Sequence, residues 1–353
     1  MKKVLLACGG AAVFLVALLA SLSMGAVPLA PRDILAVLGE RLLGLKADVD
    51  PIVGTIIWQL RLARTLLAGI AGAALGVSGA VLQGLFRKPL ADPYAMGVSS
   101  GASLGAVASI VLGSKWGFSL LGSTEIFAFV GAILAALFVY AMAKINRRIA
   151  PTAALLLSGV AVGSFISAIV SLIVTLNDRD LHTVFFWMLG GFGGKGWKDV
   201  AAILPAAAVA LAGAVAIARP LDILGAGEEA AGTLGLDMRV LRRLAVGIAS
   251  LAAAAAVSAG GVIGFVGLLG PHIARLAGGS LHKRLIPLSA AAGAILLMLA
   301  DALARTVIAP VELPVGIVTA LLGAPVFLRL LASPKEGRVD RKSTRLNSSH
   351  RIR

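Results

Sequence analysis

Hydrophobic residues run along this chain in long blocks, near 4–22, 62–86, 95–113, 124–143, 151–175, 200–218, 244–276, 285–304 and 313–332. Charged residues fall mostly between them. A block of about 18 or more apolar residues predicts a membrane-crossing helix. The bilayer core offers no water to the backbone, so the chain must satisfy its own polar groups there. The seventh block is too long for one ordinary span and contains Gly260-Gly261. Divided there, it gives helices over 244–259 and 262–276, each about 22–24 Å long at about 1.5 Å per residue. Both fall short of a hydrocarbon core about 30 Å thick. Short helices beside such a break are tolerated where other protein surrounds them, which predicts a central place in the bundle. The Gly270-Pro271 step predicts a further break, ending the apolar part of VIGFVGLLGPHIARLAGG (262–279) ahead of Arg275.

Charge sets the orientation. Lys2 and Lys3 place the N-terminus in the cytoplasm, and alternation then keeps Arg87-Lys88, Lys144/Arg147/Arg148 and Arg239/Arg242/Arg243 inside. Were 244–276 a single rod, His282-Lys283-Arg284 would lie outside. Two spans return that cluster inside, as the positive-inside rule prefers. The reading is ten transmembrane helices with both termini cytoplasmic. Inner segments up to residue 338 then hold 17 Lys/Arg against 6 acids, and outer segments 10 against 10. Residues 1–332 form one integral-membrane domain with a long cytoplasmic segment at 219–243. The polar, basic stretch 333–353 is expected to be a disordered or non-native tail.

Composition agrees with an all-α polytopic membrane protein. Of 353 residues, 59% are hydrophobic and 14% charged, where soluble domains average about 45–50% and about 25%. The net charge of +15 comes largely from short loops and implies no nucleic-acid partner; the bilayer is the surrounding partner. Cys8 is the single cysteine, which excludes an internal disulfide and a cysteine metal cage. LLACG (5–9) imitates a lipoprotein cleavage site, but its apolar run mostly follows Cys8 instead of preceding it.

Little in the chain carries covalent chemistry. His272 has no second ligand at helical spacing, and a structural contact at a helix end is its expected role. GGFGGKG (190–196) imitates a phosphate loop, but Leu189 and Gly196 stand where a Walker pattern needs Gly and Ser/Thr. No carboxylate relay crosses the interior, with Asp301 near an outer helix end. The chain is therefore expected to have no enzyme activity, no cofactor and no metal. Ala68, Gly72, Gly76, Ala80 and Gly84 form a small-residue stripe on one helix face, expected to pack against another helix within the same chain. Gly101/Gly105 and Gly159/Gly163 repeat the spacing.

Two sets of charges remain. Arg61 and Arg64 begin the second span and Arg305 ends the ninth, all on the outer side, where exposed guanidinium groups either fork onto a partner's carboxylates or anchor at the interface; Arg305 is also spaced to pair with Asp301 one turn earlier. In the inner segment a helix is expected after Gly227, with Glu228 and Glu229 in its first turn, where carboxylates complement the dipole. Leu234 and Leu236 give it an apolar edge.

Five stretches in order, LRLARTLLAGIAGAALGVSGAVLQGLFRKPLADPYAMGVSSGASLGA (60–106), WMLGGFGG (187–194), GEEAAGTLGL (227–236), GVIGFVGLLGPHIARL (261–276) and ELPVGIVTALLGAPVFLRLL (312–331), resemble the FecCD-type permeases of ABC importers for iron-siderophores, haem and cobalamin. The resemblance covers roughly 1–332. It implies a type II importer permease in a cytoplasmic (inner) membrane, dimeric, with two cytoplasmic ATPase subunits and a periplasmic or lipid-anchored substrate-binding protein. It implies docking of that protein at Arg61, Arg64 and Arg305, ATPase coupling around Glu228, Glu229, Ala231, Leu234 and Gly235, and an inner gate near Lys88 and Thr152. A ferric siderophore is the expected cargo by family frequency, with haem and cobalamin as alternatives. A stand-alone secondary carrier is the competing class.

Overall fold

The structure is a computed structural model that describes residues 2–25, 27–45, 49–116, 123–145 and 150–332. Arg147, Arg148 and the tail 333–353 lie outside the described residues. Among the described residues the secondary structure is helical throughout, with no strand. α1 (Lys2–Ser23) is the first apolar block, and α2 (Pro31–Leu43) is a short surface helix that buries Ile34 and Val37. α3 (Pro51–Thr55) continues through a π-helical stretch, Ile56–Leu62, into α4 (Ala63–Phe86). The second span thus begins at Pro51, well before residue 62. The chain continues with α5 (Val98–Trp116), α6 (Ser123–Ile145), α7 (Pro151–Thr175), α8 (Leu181–Leu189), α9 (Trp197–Ala216), α10 (Ala218–Gly225), α11 (Glu228–Thr233), α12 (Met238–Gly260), α13 (Val266–Gly278), α14 (His282–Ala304) and α15 (Val315–Ala332). Six helices among the described residues are long and apolar enough to cross a membrane. Three shorter apolar helices and α13 complete ten apolar elements.

The break at Gly260-Gly261 is present. α12 ends on Gly260, and Gly261 takes φ +70°, a conformation that favours glycine. Two sequence expectations need correction. α12 starts at Met238 and has 23 residues, a full span, so only α13, with 13, is short. Nor do Gly270 and Pro271 form a break, because α13 runs through both. Proline removes the bond to the carbonyl four residues earlier, here that of Gly267. That carbonyl faces the backbone of Gly79 on α4, where any Cβ would overlap it. Close backbone packing thus covers the group that proline leaves unbonded. His272 accordingly lies half-buried in mid-helix, not at a helix end.

α4 is the central helix. Its glycine stripe packs on α14: a Cβ at Gly72 would overlap the Gly293 carbonyl, one at Gly76 the Ser289 carbonyl, and one at Gly84 the His282 ring. Ala80 is fully buried on the same helix. Gly101 and Gly105 bring α5 against α6 at Gly131 and Phe127 in the same way. Gly159 on α7 meets the Ala95 carbonyl, whereas Gly163 has ordinary room beside Ser100. α6, α7 and α9 turn apolar side chains outward, among them Leu134, Leu157, Phe165 and Val209.

One bond fixes the direction of the chain after Gly261. Asp222 on α10 accepts from both the backbone N–H and Nδ1 of His282, each at 2.7 Å. α12 leaves the α10 end of the bundle and finishes beside Gly190 and Gly191 at the other end. His282 reaches Asp222 only because α13 comes back. The block 244–276 is two passes.

Candidate functional site

At one end of the bundle the three arginines converge. Arg64 Nε and Nη2 bind Asp301 at 2.9–3.2 Å, and Nη1 binds both oxygens of Glu312 at 2.9 and 3.0 Å. Arg305 Nε meets the second Asp301 oxygen at 3.1 Å, and its Nη2 donates to Ser21 O and Oγ. Arg61 lies in the π-helical stretch and donates to the carbonyls of Leu22, Ser23 and Val27, tying the chain after α1 to α4. Gly25 leaves room for this, since a Cβ there would press on the Arg61 guanidinium. The sequence reading had these arginines exposed. Arg61 and Arg305 are instead buried, and Arg64 keeps only 12% side-chain exposure. A fully buried Asp301 draws Arg64 and Arg305 inward, because an ionised carboxylate out of water must be paired, whereas Arg61 is held by backbone carbonyls. The cluster's exposed group is Glu312. Three guanidinium groups against two carboxylates leave the cluster with a net charge of +1.

Beside it opens a cleft of about 330 Å³, lined by Arg64, Trp187, Phe192, Lys195, Gly261 and Glu312. Four of the stretches that carry the family resemblance meet here. The Gly191 N–H donates to Gly260 O at 2.8 Å, the Val315 N–H donates to Gly190 O at 2.9 Å, and Gly316 abuts the carbonyls of Leu189 and Val262. Lys195 pairs with Glu125 and with Asp199, bracing the neighbouring α6 and α9. α8, which sequence reading missed as an element, touches α5, α7 and α15 and brings Phe186 and Trp187 to the cleft.

The chain between α4 and α5 folds back into the bundle. Its turn, Pro93–Met96, is capped by the Asp92 carboxylate, which accepts from the Tyr94 N–H at 2.7 Å. The Tyr94 hydroxyl donates to Ile263 O at 3.0 Å and accepts from Ile263 N–H at 3.2 Å. It thereby satisfies both backbone groups of one residue in the irregular stretch between α12 and α13. Left unmade, each such buried group costs about 1–3 kcal/mol. Phe265 closes that stretch at φ +66° and packs on Gly323 and edge-on to Phe327 of α15. A non-glycine residue held there stores roughly 1–3 kcal/mol of strain.

The opposite end holds the other predicted residues. α11 starts directly after Gly227, with Glu228 and Glu229 in its first turn. Ala231 is buried, Leu234 is 72% exposed, and Gly235 takes φ +80°. Leu236 turns inward against the core, so the apolar edge is Leu234 alone. Glu228 reaches Arg242 at 3.4 Å. Asp237 caps α12 and accepts from the N–H groups of Val240 and Arg239, which hold its carboxyl below the usual range. Lys88 is exposed just past α4, and Thr152 lies in the first turn of α7. Asp222, His282 and the Gln83–Arg275 pair on α4 and α13 complete this end. Sequence reading assigned no role to Asp222, whose partner lies 60 residues away. Among the described residues no group of three His, Cys, Asp or Glu side chains is placed to hold a metal ion.

Comparison with known proteins agrees with this architecture. The family described as the FecCD transport family matches residues 13–333. The chain is 47% identical over 288 residues to the cobalamin import system permease protein BtuC of Halobacterium salinarum, covering 82% of this chain and 75% of the relative. It is 40% identical over 325 residues to the vitamin B12 import system permease protein BtuC of Salmonella paratyphi A, covering 90% and 91%. A metal-chelate type ABC transporter solved in an inward-facing conformation superposes with a TM-score of 0.79 at 29% identity, covering 94% of this chain and 99% of that one. The chain belongs to the FecCD transport family and is a multi-pass permease of an ABC importer, with the type II fold.

Proposed function

We propose that this permease imports a cobalamin-type corrinoid and not a ferric siderophore. The carrying observation is identity of 47% and 40% to two permeases named for cobalamin or vitamin B12 import, across most of each chain. That outweighs the frequency argument for a siderophore. The test is uptake in a host lacking its own corrinoid and siderophore permeases, supplied with this chain and its cognate ATPase and binding protein. Growth restored by nanomolar cyanocobalamin is the expected result. Growth restored only by a ferric chelate would contradict the reading.

In this reading the Arg64 end faces the outside and the His282 end the cytoplasm, with both termini inside. A substrate-binding protein docks at the Arg64 end, with Arg64 nearest its carboxylates and Arg61 and Arg305 holding the cluster in place. Two permease subunits pair, and the substrate passes between them. Two ATPase subunits bind below, against α11, with Glu229 and Leu234 exposed to them and Glu228, Ala231 and Gly235 shaping the helix. Lys88 and Thr152 stand near the inner exit. The permease supplies no bond-making chemistry. ATP-driven closure of the ATPases moves α11, and the Asp222–His282 bond passes that motion to α14 and α4. This pair is stiff because it packs backbone on backbone and is tied at its far end by Arg64 and Asp301. It therefore moves as one strut, instead of as helices that slide past each other.

A further inference from the structure

Arg64 holds two carboxylates, and they are not equivalent. Nε and Nη2 face Asp301, which is 0% exposed, while Nη1 faces Glu312, which is 48% exposed. The Asp301 arm is out of reach of solvent and acts as the anchor. The Glu312 arm lies at the protein edge, where water screens the pair and its net worth is small. A carboxylate arriving from outside can take Nη1 from Glu312 at little cost. It cannot take Asp301's place.

The position of Glu312 in the chain gives such an exchange a consequence. Leu313 and Pro314 follow it and line the cleft together with Trp187 and Phe186. Val307, Ile308 and Val311, which precede it, are exposed and have little packing to hold them. The segment is fastened to α14 at Thr306 and Val307, whose N–H groups donate to Leu303 O, and at its other end at Leu313, whose N–H donates to Ala304 O, and at Val315. Between α14 and those fastenings, the Arg64–Glu312 pair is the charged tie at its exposed edge.

We infer that Glu312 is an internal latch on the docking site. It occupies the exposed arm of Arg64 until an acidic side chain of the docking substrate-binding protein replaces it, and its release frees the 308–312 segment at the mouth of the cleft. Docking and opening of the outer cleft are then one event, driven by exchange of one carboxylate for another. The net positive charge of the cluster favours an incoming acid over a neutral group. This inference rests on the docking reading proposed above.

The test uses the full permease–ATPase complex in nanodiscs and its cognate binding protein. Glu312→Gln keeps the shape of an exposed side chain and removes its charge. It is expected to tighten binding of the binding protein about two- to fivefold, the scale of one exposed ion pair. Arg64→Lys keeps the charge beside Asp301 but loses the fork. It is expected to weaken binding, and in that background Glu312→Gln should give no gain. A fluorophore on Ile308→Cys, in a Cys8→Ser background, should shift when the binding protein docks, and should already be shifted in free Glu312→Gln. If Glu312→Gln leaves binding and fluorescence unchanged while Arg64→Lys weakens binding, the latch is wrong and the docking reading stands. If Arg64→Lys leaves binding intact, the docking reading falls and the latch falls with it.

Discussion

Replacing Asp301 by alanine is expected to destabilise the permease by about 3–5 kcal/mol, the cost of leaving a buried charge without its partner. Asp301 is fully buried and meets both Arg64 and Arg305. Without it, two guanidinium groups face each other beside Arg61, with only the exposed Glu312 in compensation. The loss appears as a lowered thermal midpoint of the detergent-solubilised protein. Asp301→Asn should fall in the same direction, because it keeps the shape but not the charge. Removing the charges together, as Asp301→Asn with Arg305→Gln, should recover part of the loss, since a buried pair replaced by neutral groups is often near neutral. A single Asp301 variant as stable as the parent protein would show that Arg64 and Arg305 do not depend on it.

Reversing Glu228 and Glu229 together to lysine is expected to abolish ATP-driven uptake while membrane insertion stays intact. Both carboxylates are exposed in the first turn of α11. Among the described residues their internal tie is the pair of Glu228 with Arg242, which contributes little at an exposed site. The fold therefore tolerates the change. A docked ATPase does not, because opposing a charge pair at an interface costs about 2–5 kcal/mol, or roughly 30- to 4000-fold in affinity. Lysine also sits badly at the positive end of a helix dipole. Uptake by reconstituted proteoliposomes, with co-purification of the ATPase, measures both effects. Normal uptake by the double variant would remove α11 from the coupling path.

Much of the fold was legible in the sequence because a bilayer imposes a length. Apolar blocks near 18 residues or longer marked the spans, and Gly260-Gly261 marked the turn between α12 and α13. α2 and α8 were missed because 13 and 9 residues fall below that length, and their partly apolar faces match surface turns as well as helices. Pro271 misled because proline usually ends a helix. Here the freed Gly267 carbonyl is covered by Gly79, a contact between residues far apart in sequence. The start of α11 and the acids of its first turn were visible, since capping and dipole effects are local. Of the arginine cluster, the pairing of Arg305 with Asp301 one turn earlier was legible, since it follows the local i,i+4 rule. The pairings of Arg64 span 237 and 248 residues, and no local rule joins them, so Arg64 looked free. Asp222 and Tyr94 escaped for the same reason: each satisfies backbone groups on a distant element.

The return of the chain through α13 carries the whole arrangement, since it puts His282 on Asp222 and so joins α14 and α4 to the segment proposed to meet the ATPase. Labelling with a membrane-impermeant maleimide tests it most directly, in a Cys8→Ser background, in intact cells and in inside-out vesicles. Ser280→Cys, just after α13, should label only in inside-out vesicles, and Lys198→Cys, at the start of α9, only in intact cells. Labelling of Ser280→Cys from outside would contradict the two-pass reading and detach both ends of the account.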